Sequence, residues 1–137
     1  MNGTEWIVEA YGCSAQALRD LPTLQRLFDS VIHDLGLRPA AATQWHQFPQ
    51  PGGITGLCLL SESHLACHSF PEYTSLCLNL FCCVPRAEWD FEAKLKAIVG
   101  AHSVSVRRLV RPYVVAQEAA RSEPMDTHRS LAEDPRG

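Results

Sequence analysis

No apolar run in this chain approaches the roughly 18 residues that a membrane span needs. Nor is there an excess of either charge. Twelve Lys and Arg stand against fifteen Asp and Glu, for a formal net charge of -3, so the basic footprint of a nucleic-acid binder is missing. The N-terminus, Met1-Asn2-Gly3-Thr4-Glu5-Trp6, has no basic region followed by a long apolar stretch, which argues against a secretory signal. No Cys-x-x-Cys pair occurs, so no structural metal site is expected. The six cysteines are an even number, but four of them lie inside apolar, strand-like runs. With no export signal they read as reduced thiols in a cytoplasmic protein rather than as a disulfide framework. Internal repeats and low-complexity blocks are absent too.

What is present fits one domain of 137 residues, with 46% hydrophobic and 20% charged residues. Leu24, Leu27, Phe28, Val31 and Leu35 fall on one face of a helix, which predicts α-structure over Pro22–Leu35, closed by Gly36. A second helix is expected over Ala87–Val99. Strands are expected over Glu5–Tyr11, Ala41–Phe48, Ile54–Leu60, Ser63–Phe70, Ser75–Cys83 and Ser103–Val110. Short successive strands with tight connections favour antiparallel pairing. The expected fold is therefore α+β: a two-layer sandwich with an antiparallel sheet and two helices on one face. The other face would then need a partner, such as a second copy. Residues 1–116 form the expected domain, and the polar, proline-containing stretch 117–137 reads as a weakly ordered tail.

One stretch is out of keeping with an ordinary strand. Ser61-Glu62-Ser63-His64-Leu65-Ala66-Cys67-His68-Ser69-Phe70-Pro71-Glu72-Tyr73 carries polar and titratable groups that each need a partner if buried. A serine can attack the carbonyl that precedes it and shift the backbone from amide to ester, given a base and an oxyanion stabiliser. Elimination and hydrolysis would leave a pyruvoyl group in place of Ser63. His68 is a titratable side chain in the same stretch. Lying five residues on, it does not share a strand face with Ser63 unless a turn or bulge intervenes. Asn79, Phe81 and Cys83 share a face of the next strand and Cys82 points the other way, which assigns Cys82 to packing.

These motifs resemble the processing and active-site segment of the bacterial-type, pyruvoyl-dependent S-adenosylmethionine decarboxylase proenzymes. Glu62-Ser63, His68, Glu72 and Cys83 keep that family's spacing, and the likeness runs over roughly residues 5 to 110. The resemblance implies self-cleavage between Glu62 and Ser63, a pyruvoyl cofactor derived from Ser63, and a Schiff base with the substrate amine. It also implies Cys83 as proton donor and His68 as an aid to processing. Thr55 stands where the family carries a processing serine. Glu72 would bind the ribose, Phe70 would stack on the adenine, and Phe48 is the nearest second aromatic. Asn79 stands where the family usually has an aspartate. The implied product is decarboxylated S-adenosylmethionine, the aminopropyl donor for spermidine, made by a homodimer that needs no metal. The alternatives are a pyruvoyl enzyme acting on ornithine or arginine, and a non-catalytic relative that binds a partner subunit.

Overall fold

The computed structural model describes residues 1–115; the expected tail over 117–137 lies outside the described residues. Six strands form one antiparallel sheet: β1 (Asn2–Tyr11), β2 (Gln44–Gln47), β3 (Ile54–Leu60), β4 (Ser63–Phe70), β5 (Ser75–Cys82) and β6 (Ser103–Pro112). Their order across the sheet is β2-β3-β4-β5-β1-β6. The helices are α1 (Ala15–Leu18), α2 (Leu21–Leu35) and α3 (Phe91–Val99). The expected α+β sandwich is the observed one, with a third, single-turn helix that hydrophobic spacing is too short to reveal. No helix among the described residues is long and apolar enough to cross a membrane.

Strand alternation decides which side is the core. On β4, Leu65 and Cys67 are buried while His64 and His68 are exposed; on β5, Leu76, Leu78 and Leu80 are buried while Cys77, Asn79 and Phe81 are half-buried. The inner row meets Leu24, Leu27, Phe28 and Val31 of α2 and Phe91 and Leu95 of α3. Asp20 caps α2 by accepting the Thr23 amide at 3.2 Å, and Gly36 closes it in the left-handed region at φ 64°. Helix α3 begins at Phe91 rather than at the expected Ala87. Asp90 takes the cap by accepting the Ala93 amide, and Trp89 turns inward with its indole N–H donating to Asp34 at 2.8 Å.

Phe28 ties α2 to the sheet edge, with its ring centroid 4.7 Å from that of Trp45 on β2. Trp45 pairs across the strands with Gly56 and lies over it: a β-carbon at Gly56 would sit 2.4 Å from the indole. Phe28→Ala is expected to cost about 3–5 kcal/mol of unfolding free energy, read as a fall in the urea midpoint at constant slope. All six cysteines are free thiols. Burial pushes Cys67 up to about 12 and Cys13 up to about 11, so both stay protonated and pack as small apolar groups.

Candidate active site

The Glu62–Ser63 bond lies where the β3–β4 hairpin enters its second strand. The last residue of β3, Leu60, pairs with Ser63, which leaves Ser61 and Glu62 as a two-residue connection. The Ser61 amide donates to the Arg38 carbonyl at 2.8 Å, which anchors the connection from outside. On the other side Ser63 pairs with Cys82 of β5. One step further out, the Cys83 amide donates to the Glu62 carbonyl oxygen at 2.7 Å. That oxygen belongs to the carbonyl a Ser63 hydroxyl would attack, so a fixed N–H already points at the atom that would gain negative charge. Sequence reasoning asked for such a donor without finding it, because it is a backbone group set by strand register.

Ser63 itself faces the core and is 9% exposed. Its cross-strand partner Cys82 is fully buried. Cys83 is half-buried, and its own carbonyl accepts the Tyr113 hydroxyl at 3.0 Å. Alternation from Asn79 and Phe81 puts its side chain on the open face of the sheet.

His68 and Thr55 are cross-strand partners on that open face, with Thr55 Oγ1 3.0 Å from His68 Nδ1. They are not beside Ser63 in the same chain. Strand β4 pairs without a bulge on either side, so the local rearrangement that would align His68 with Ser63 is absent. Five residues of extended chain put them about 16 Å apart along the strand, with side chains on opposite faces. The other expected residues cluster at the His68 end. Phe70 (37% exposed) closes β4 on the open face, and Glu72 is exposed on the 3-10 turn Pro71–Tyr73. The Phe48 amide donates to the Gly53 carbonyl at 2.8 Å, which carries the β2–β3 pairing one residue past Gln47↔Ile54. By the same register Gly53 falls beside Phe70. The backbones of two aromatic residues thus flank a residue with no side chain, two strand spacings or about 9.6 Å apart. Phe48 also meets His46 edge-on at 4.5 Å.

Sequence reasoning missed a polar chain between these ends. The Asn79 amide nitrogen donates to Glu5 of β1 at 2.6 Å, and Glu5 also pairs with Arg111. A carboxylate only accepts, so Asn79 turns its oxygen to His64, whose Nε2 lies 3.2 Å away and must carry the proton. The His64 ring stacks on Phe81 at 5.5 Å. Asn79→Asp would set a second carboxylate against Glu5, 15% exposed at its side chain, and the pair would retain a proton to a higher pH than either would alone. The folded state would then hold a proton that the unfolded chain releases above about pH 4. The variant is therefore expected to lose stability relative to the parent as pH rises from about 4 to 7, by roughly 1–2 kcal/mol. Melting curves of both proteins across that range check it.

The chain is similar to known proteins. An S-adenosylmethionine decarboxylase proenzyme of Picrophilus torridus is 27% identical over 124 residues, covering 89% of this chain and 93% of that protein. One from Methanococcus maripaludis is 33% identical over 81 residues, covering 59% of this chain and 65% of its own length, just under two thirds. The crystal structure of the adenosylmethionine decarboxylase from Aquifex aeolicus superposes with a TM-score of 0.67 at 19% identity, over 82% of this chain and 92% of that one. It shows the same fold. The sequence model of one family, described as S-adenosylmethionine decarboxylase, matches residues 4–112, from the third residue of β1 to the end of β6. The chain belongs to the S-adenosylmethionine decarboxylase family.

Proposed function

We propose that this chain is a self-processing decarboxylase that converts S-adenosylmethionine to its decarboxylated form. The observation that carries the reading is the 2.7 Å hydrogen bond from the Cys83 amide to the Glu62 carbonyl, one atom away from the bond to be broken. In the first reaction Ser63 Oγ bonds to the Glu62 carbonyl carbon, the bond from that carbon to the Ser63 nitrogen breaks, and the hydroxyl proton passes to the nitrogen. The ester then loses its acyl group by elimination, and hydrolysis releases ammonia. The residues fit a pyruvoyl group at position 63: the hydroxyl is present, the carbonyl is polarised, and the strand behind it is fixed on both sides. Such a group supplies an electron sink for loss of the substrate carboxylate as carbon dioxide.

In this proposal the side chains divide the remaining work. Cys83 returns a proton to the former α-carbon. Phe48 and Phe70 hold the adenine between them over Gly53, and Glu72 accepts hydrogen bonds from the ribose hydroxyls. His68, held by Thr55, handles the proton of the processing step. Because His68 and Ser63 stand at opposite ends of β4, one chain carries two half-sites. The open face also presents Leu57 and Leu59, 50% and 61% exposed, and an apolar sheet face of this kind calls for cover. A second copy, turned about a two-fold axis through the sheet, would set its His68 end against the first copy's Ser63 end. The proposed enzyme is thus a homodimer with two composite sites in the cytoplasm, feeding aminopropyl groups to spermidine synthesis. The relatives' names lend no support to ornithine or arginine as substrate.

Intact mass under denaturing conditions tests the reading. Two chains, residues 1–62 and 63–137 with the second blocked at its N-terminus, are the expected result. A single uncut chain after long incubation refutes it.

A further inference from the structure

The decarboxylation proposed above moves a proton twice, and Cys83 accounts for one of the two movements. Before a proton is returned to carbon, the substrate's α-amine has to give one up, because an ammonium has no lone pair with which to attack a carbonyl. His64 is placed for that task. It follows Ser63 directly, and its side chain is exposed on the open face of the sheet. Its cross-strand partner on β5 is Phe81, and Cys83 lies two residues beyond Phe81 on the same face. His64 and Cys83 thus flank position 63 on the side away from the core. The hydrogen-bond chain behind the ring sets its protons. Glu5 accepts from Asn79 Nδ2 at 2.6 Å, so the Asn79 oxygen faces His64 Nε2 at 3.2 Å and Nε2 carries the proton. In the neutral ring the lone pair is then on Nδ1. Stacking on Phe81 at 5.5 Å holds the ring plane, and Arg111, 5.8 Å from the Phe81 centroid, pairs with Glu5 at the far end of the chain. On the β3 side lies a groove of about 370 Å³, lined by Leu57, Leu59 and Ala66 and, among the described residues, by no carboxylate, lysine or arginine.

We propose that His64 is the base that frees the substrate's amine, taking its proton on Nδ1 while Asn79 holds Nε2. The inference rests on the decarboxylase reading given above. Nδ1 takes one proton from the ammonium. The freed nitrogen lone pair bonds to the carbonyl carbon at position 63, and the second electron pair of that carbonyl goes to its oxygen. The oxygen takes the proton back from Nδ1, takes another from the nitrogen, and leaves as water. One hydrogen and the positive charge stay on the new carbon–nitrogen double bond, so atoms and charge balance. The ring suits this traffic. Its Nε2–H donates to Asn79 whether Nδ1 is bare or protonated, so the ring keeps its place through both states. His64 thereby acts when the substrate is captured, and Cys83 after the carboxylate has left.

The test compares the full-length parent with His64→Gln, whose amide can still donate to Asn79 but cannot take a proton. Intact mass is expected to show both cut between Glu62 and Ser63. S-adenosylmethionine is then added with cyanoborohydride, which reduces the carbon–nitrogen double bond, and the mass of the 63–137 chain times the capture of substrate. An α-amine with a pKa of about 7.8 is only about a tenth free at about pH 6.8 and nearly all free at about pH 9. Without its base, His64→Gln is expected to capture substrate about tenfold more slowly than the parent at the lower pH and within about twofold at the higher. Glu5, Arg111 and Cys83, the charged and titratable groups around the ring, are the same in both proteins, so the ratio of rates removes their titration. A deficit that does not change with pH marks a packing role and overturns the proposal, as does capture at the parent rate throughout. An uncut His64→Gln chain assigns the ring to the first reaction and overturns it too. Long-range proton–nitrogen NMR spectra of the uncut Ser63→Ala chain give a second measurement: the neutral His64 ring is expected to carry its proton on Nε2, and a proton on Nδ1 overturns the proposal. A parent that is never cut, or is cut and captures no substrate, overturns the decarboxylase reading and this inference with it. A parent that is cut and captures substrate beside an equally fast variant overturns only the role of His64.

Discussion

A Ser63→Ala chain is expected to stay whole at every time point while folding as the parent does. The effect on cleavage is total, because Ser63 supplies the hydroxyl that directly follows the Glu62 carbonyl. Ser61 precedes that residue, and the nearest strand partners, Cys82 and Leu60, carry none. The effect on stability is small. The change removes one oxygen from a side chain facing the core, and its cross-strand neighbour Cys82 is a thiol, which tolerates an apolar neighbour far better than a buried amide would. Burial already holds the Cys82 thiol above its ordinary value, so it stays neutral and no charge is stranded. Melting temperature within a few degrees of the parent, together with a single mass for the whole chain, is the expected pair of readings. A Ser63→Ala chain cut between the same residues would show that another nucleophile does the work, and the site built around Ser63 would fall.

How much of this was legible in the sequence depends on how far apart the interacting residues lie. Strands β3, β4 and β5 follow one another with tight turns, so their pairing follows from local signals. Helix α2 was evident from spacing and from Gly36. The place of β1 was not, since an N-terminal strand inserted between β5 and β6 leaves no local mark. Everything that depends on that insertion was hidden as well, including the Glu5–Asn79 hydrogen bond across 74 residues and the state of His64 that it fixes. Asn79 could be seen as a departure from the family's aspartate, but the reason for an amide appears only when Glu5 is beside it. The Cys83 amide was invisible for a different reason. It is a backbone donor whose aim comes from register, and side-chain motifs do not encode it. His68 is a different case. The family resemblance linked it to Ser63 while strand alternation argued against a shared face, and an unbroken β4 sets it at the far end of the strand.

That distance leads to the second large expected effect. If each site combines the Ser63 end of one chain with the His68 end of another, two defective chains can repair each other. His68→Ala alone is expected to cut poorly, because both sites of its dimer lack the histidine. Ser63→Ala alone cannot cut at all. Co-expressed with distinguishable tags, they form mixed dimers in which one composite site has lost both groups and the other has kept both. In the intact site the serine comes from the His68→Ala chain, so that chain, and only that chain, should now be cut. Random pairing makes half the dimers mixed, each with one working site, so decarboxylation of S-adenosylmethionine should return to about a quarter of the parent level. Repair of this kind cannot arise within one chain. A site confined to a single chain predicts no cleavage of either partner beyond its level when expressed alone, and a His68→Ala chain that cuts normally by itself would remove His68 from the processing step. Thr55 holds His68 at 3.0 Å on the open face, turned toward whatever covers that face, whereas the Ser63 side chain faces the core, so cleavage in the mixed dimers reads directly whether a partner's histidine acts at the Glu62–Ser63 bond.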